Sequence, residues 1–160
     1  MSKEETQMKE NLTAMKGAVT ACFTALAALL GWRGILAVIW VAAMALDYLS
    51  GTAAACKEGD WASARAREGL WHKGGMLLVV LTAALTDVAV AMAAANLGLG
   101  AQWSGLVLPL VLAWYILTEL GSVLENAVKL GAKVPGWLIK LLRAGQQALE
   151  KAGERAQEDL

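Results

Sequence analysis

Three carboxylic acids stand where lipid chemistry makes them costly. Asp47, Asp87 and Glu119 each lie inside a long apolar stretch, at residues 34–56, 74–100 and 103–128. A carboxyl group in hydrocarbon is expensive, and it is kept there to tie helices together, to carry protons or to border water. Their surroundings are patterned. Asp47 shares a helical face with Ala43, Ser50, Gly51 and Ala54, and Asp87 with Ala83, Ala84, Ala91 and Ala94. Small faces let helix backbones approach closely in lipid, so both acids point at neighbouring helices. Around Glu119 the pattern is polar: Tyr115, Glu119, Ser122 and Asn126 recur at spacings of four, three and four, with Glu125 on an adjacent stripe beside Thr118 and Ser122. Asp47 stands ten residues before Lys57, and Glu119 ten before Lys129. At 1.5 Å per residue that is about 15 Å beneath a surface marked by those lysines. No lysine or arginine lies inside these stretches to pair with the acids.

The elements that position these groups are helices. Hydrophobic residues make up 58% of the 160-residue chain and charged ones 18%, below the roughly 25% charged that soluble domains carry. A fourth apolar stretch, 17–32, precedes the other three. A spanning helix needs about 20 apolar residues, and no alternating segments of about ten residues, the mark of a membrane barrel, occur. The expected fold is all-α: a polytopic transmembrane bundle over 17–128 with four spans, or three if the short first stretch lies at the interface. Residues 1–16 form an N-terminal cytoplasmic helix or tail, 57–73 a cytoplasmic connection, and 129–160 a cytoplasmic amphipathic helix with a charged end.

Cations set the orientation. Lys3, Lys9 and Lys16 precede the first stretch, Arg33 follows it, and Lys57, Arg65, Arg67 and Lys73 fill the middle connection; none lies in 96–102, and six follow the last span. The positive-inside rule then puts both termini and the 57–73 connection in the cytoplasm. Within that connection Ser63 suits the N-cap of a short helix ending near Gly69, and Lys73 serves as a membrane anchor. Beyond Pro135, Trp137, Leu138, Leu141, Leu142 and Leu149 make an apolar stripe with Lys140 and Arg143 facing away. This is the pattern of a helix lying on an anionic leaflet, anchored by Trp137, Lys140 and Arg143.

Several function classes drop out. There is no phosphate-binding loop, nucleophile elbow or H-E-x-x-H, and the single His72 cannot build a metal cluster. Catalytic, cofactor and metal residues are therefore not expected, and the basic surface is too small for nucleic acid. Two other classes remain: a small proton-coupled transporter or channel subunit using the same acids as a relay, and a membrane scaffold.

The stretch L-D-Y-L-S-G-T-A-A-A-C-K-E-G-D-W-A-S-A-R-A-R-E-G-L-W-H-K, residues 46–73, resembles the D-x-x-x-G…A…S…G…K pattern of the toxin-secretion/phage-lysis holins. A second block carries Asp87, and W-Y-I-L-T-E-L-G-S-V-L-E-N-A-V-K-L-G-A-K-V-P, residues 114–135, is similar to that family's Y-x-x-x-E-x-x-S-x-x-E-N…G…P pattern. Together the blocks cover most of the chain. The chain departs from the pattern at its Ala53, Ala54, Ala55 run and at Thr118, and neither departure touches an acid. The resemblance implies a multi-pass protein of the bacterial inner membrane, encoded by a phage or prophage, that forms homo-oligomeric lesions in the lipid bilayer. Through these an endolysin, or in some relatives a toxin, passes as cargo. The positions that the resemblance matches are Asp47, Gly51, Ser63, Gly69, Lys73, Asp87, Glu119, Ser122, Glu125, Asn126, Gly131 and Pro135; Asp47, Gly51, Asp87, Glu119, Ser122, Glu125 and Asn126, with Tyr115 of the polar stripe, are the candidate pore or assembly residues. The acids would set a packed state, and the stripe from Tyr115 to Asn126 would line the opened one.

Overall fold

The computed structural model describes the backbone of residues 3–59, 63–97 and 105–158, and the side chains of 31–59, 69, 71–97 and 105–156. All described secondary structure is helical: α1, Lys3–Glu58; α2, Ser63–Leu97; α3, Val107–Leu130; and α4, Gly136–Glu158. Three helical segments are long and apolar enough to cross a membrane: Gly31–Glu58, Trp71–Leu97 and Val107–Leu130. The shortest has 24 residues, about 36 Å against a hydrocarbon core of about 30 Å.

The chain divides into two compact units, Met1–Ile35 and Leu36–Leu160. The first unit is helical from residue 3, interrupted at Gly31, whose φ of 63° and ψ of −178° leave the helical region. Only glycine adopts that backbone without steric strain. The side chains of 17–30 fall outside the described residues, and with them the expectation of a first span.

In the second unit the latter part of α1 joins α2 and α3 around a small apolar core. Leu112 is fully buried there, with Trp40, Met76, Val80 and Ile116 around it. Trp40 stacks on Tyr115 with ring centroids 6.3 Å apart, and Trp114 meets Tyr115 edge-on at 5.4 Å. Outside this core the helices present bare apolar surface, for example Leu78 at 67% exposure and Leu85 at 69%. A soluble monomer does not tolerate such a coat; lipid does.

The element boundaries differ from expectation in two places. The helix expected to stop near Gly69 is the opening of α2, which runs unbroken through Gly69, Gly74 and Gly75. Each interior glycine weakens a helix by only about 1 kcal/mol, too little to interrupt one packed over its later turns. The last span runs from Val107 past Val128 to Leu130, and the start expected near 103 lies outside the described residues. Gly131, at φ 98°, closes it: its amide donates to the Val128 carbonyl and the Ala132 amide to that of Ala127, the reverse-turn cap typical of glycine.

The C-terminal helix is also placed differently. A helix lying flat on a leaflet would stand across a spanning helix. Instead α4 turns after Pro135 and runs back antiparallel along α3. The Gln146 amide donates to Thr118 Oγ1 at 3.0 Å, and Trp114 Nε1 donates to Glu150 Oε1 at 3.2 Å. Gly145 lies so close to α3 that a Cβ there would stand 2.9 Å from a Leu117 methyl. Part of the apolar stripe read as membrane-seeking supplies the physical reason: Leu138, Leu142 and Leu149 are half-buried, as is Ile139 beside them, while Trp137 and Leu141 stay exposed.

Candidate functional site

The polar residues of the three apolar helices converge on one ammonium group. Lys73 stands on α2 beside Gly74, with its side chain 15% exposed, and its Nζ donates to Asp47 Oδ2 of α1 at 3.0 Å and to Glu119 Oε2 of α3 at 2.6 Å. Asn126, one helical face along from Glu119, donates from Nδ2 to Asp47 Oδ1 and to Ser50 Oγ, both at 3.1 Å. The Ser50 hydroxyl donates in turn to the Asp47 backbone carbonyl at 3.1 Å. One cation and two carboxylates therefore bind three helices through their side chains.

The expectation that no cation reaches the buried acids is overturned, as is the placement of Lys73 among surface anchors. The cause lies in α2: because it starts at Ser63, Lys73 is almost three turns inside a helix and not at the end of a loop. A lysine stem is long enough to carry its charge away from its own backbone position, and here it carries it between helices. Charge balance held the clue. Two acids facing the same helical interface called for a counter-ion, and Lys73 is followed by two glycines that leave room beside it.

Gly51 sits against this cluster. A Cβ there would stand 3.4 Å from Asn126 Nδ2, so the bare backbone lets the amide approach α1. At the edge of the same cluster, Lys57 donates from Nζ to the carbonyls of Lys129 at 3.3 Å and Leu130 at 2.8 Å. It thereby binds the C-terminus of α1 to the negative end of the α3 dipole.

Asp87 is neutralised by a different device. Only 6% exposed, it accepts from the Val107 amide on Oδ1 at 3.1 Å and from the Leu108 amide on Oδ2 at 3.0 Å. A helix N-terminus exposes unpaired amides and partial positive charge, and a carboxylate supplied by another helix satisfies both. The third residue of α3 is Pro109, which has no amide to satisfy, and the Leu110 amide donates to the Leu106 carbonyl at 3.3 Å. Every donor of that first turn is thus accounted for.

The stripe expected on the last span divides over two sides of α3. Glu119 and Asn126 join the Lys73 cluster, while Tyr115 belongs to the aromatic core. Ser122 donates to the Thr118 carbonyl at 3.4 Å and, with the exposed Glu125, lines a groove of about 610 Å³ between α3 and α4. Of the residues assigned to anchoring, Arg143 also lines that groove, whereas Lys140 and Trp137 are exposed, the latter at 66%.

The model of the bacteriophage holin family matches residues 24–146, which takes in all three candidate spans and the whole Lys73 cluster. An uncharacterized protein of Clostridium perfringens (strain 13 / Type A) is 32% identical over 98 residues, 61% of this chain; the match spans 65% of that relative's length. No solved structure matches the chain.

Proposed function

The chain belongs to the bacteriophage holin family, and from that premise we propose that it is a lesion-forming protein of the bacterial inner membrane. Copies accumulate in the bilayer, oligomerise and open lesions through which an endolysin, or a toxin, leaves the cytoplasm to bring about host lysis. The chain catalyses nothing in this scheme. The N-terminus, the connection after Glu58 and the Leu130 end of α3 lie on the cytoplasmic side, in keeping with the cation distribution and with Lys57 meeting the end of α3.

One observation carries the reading: a buried Lys73–Asp47–Glu119 set joins three helices whose outer surfaces are apolar. Such a set holds α1, α2 and α3 of each copy together. Side-chain contacts can be exchanged without breaking the backbone bonds of any helix, so the same residues allow rearrangement when copies assemble. Timing of lysis tests the assignment. With expression matched, Glu119→Gln and Asp47→Asn loosen the packed form and bring onset forward. Onset unchanged from wild type in both, and in Asp87→Asn, removes these acids from the mechanism.

A further inference from the structure

The placement of α4 raises a problem of solvent. It runs along α3 from the level of Leu130 to that of Trp114, and α3 is apolar and long enough to cross a membrane. Toward α3 it turns Ile139, Leu142, Gly145, Gln146 and Leu149. Its other side carries Lys140, Gln147, Lys151, Glu154 and Arg155, all exposed. In hydrocarbon each such charge is opposed by about 2.5–3.5 kcal/mol at the centre of a helix, and no partner within the described residues covers them. A helix docked in this way beside a spanning segment needs water on its far side.

We infer that α4, docked on α3, forms the wall of the lesion, with its charged face toward the aqueous lumen. The inference rests on the lesion-forming reading above and names the surface that would meet water. It names a surface other than the Tyr115–Asn126 stripe, which in this arrangement is taken up by the Lys73 cluster, the aromatic core and the α4 contact.

The test uses the full chain reconstituted in phosphatidylglycerol-containing liposomes loaded with a reporter enzyme. Cys22 and Cys56 are replaced by serine, and Leu117→Cys with Gly145→Cys places two thiols across the α3–α4 contact for cross-linking in the docked arrangement. Cross-linked protein is expected to release the reporter as fully as uncross-linked protein. A second variant, Lys140→Leu with Gln147→Leu and Lys151→Leu, makes apolar the part of the outer face of α4 that lies alongside α3, between the levels of Leu130 and Trp114. It is expected to insert and oligomerise yet release no more than protein-free liposomes. Cross-linked protein that is inert until a reductant is added, or a triple variant that oligomerises and releases like wild type, overturns the inference. If the unaltered chain releases nothing, it is the lesion-forming reading that fails, whatever α4 does.

Discussion

Replacing Lys73 by methionine keeps the length and apolar stem of the side chain and removes only its charge. Two carboxylates then face one another across the α1–α3 contact, with Glu119 4% exposed and Asp47 21%. Removing one partner of a buried pair is destabilising by about 3–5 kcal/mol, because the remaining charge stays uncompensated. Asp47 keeps the Asn126 amide and partial access to solvent, which argues for the lower end, about 3 kcal/mol. At 1.4 kcal/mol per factor of ten that is roughly a hundredfold in the folding equilibrium. The neutral set Lys73→Met, Asp47→Asn, Glu119→Gln leaves no charge stranded and forfeits only hydrogen-bond energy, on the order of 1 kcal/mol per bond lost. Unfolding of the purified protein in mixed micelles, followed by loss of helical circular dichroism as dodecyl sulfate is added, measures both. The single variant is expected to be the less stable of the two, although it carries one substitution instead of three. Equal stability of the single variant and wild type, or a triple variant weaker than the single one, would falsify the charge-compensation account.

Two further outcomes follow from the geometry. Asp87→Ala strips two acceptors from the start of α3, for a loss of about 1–3 kcal/mol; faster hydrogen exchange at the Val107 and Leu108 amides, with the Lys73 cluster undisturbed, is the expected signature, and unchanged exchange there refutes the cap. Gly51→Ala brings a methyl into ordinary contact with Asn126 and is expected to shift stability by less than about 1 kcal/mol, whereas Gly51→Leu pushes the Asn126 amide off Asp47 and gives a large loss; a leucine variant as stable as the alanine one contradicts the close approach.

The legible part of this chain was whatever depends on local pattern. Apolar length alone located the helices later seen at Gly31–Glu58, Trp71–Leu97 and Val107–Leu130, and small neighbours around Asp47 gave its face toward another helix, where Gly51 meets Asn126. What stayed hidden depends on pairings between distant segments. Lys73 reads as the end of a loop until α2 is known to start at Ser63, and its two partners lie 26 and 46 residues away. Nothing near Asp87 in the sequence announces that its hydrogen-bond donors are amides 20 and 21 residues on. The amphipathic pattern of α4 was plain, but an apolar stripe fits a membrane surface and the flank of α3 equally well, and periodicity does not distinguish them.

The two buried acid sites differ in a way that bears on rearrangement. Asp87 is compensated by backbone amides, so separating α2 from α3 there leaves the first turn of α3 with unsatisfied donors, at a cost that recurs for as long as the helix end stays in a dry place. The Lys73 set consists of side chains, apart from the Ser50 bond to a carbonyl of its own helix. Every one of its bonds between helices can be replaced by water, or by the same groups of a neighbouring copy, while α1, α2 and α3 keep their internal ladders intact. A bundle that must be stable in lipid and later yield to an assembly therefore has a hinge point at Asp87 that resists separation and a clasp at Lys73 that tolerates it. Rearrangement should begin at the clasp, with the Asp87 contact to α3 outlasting it.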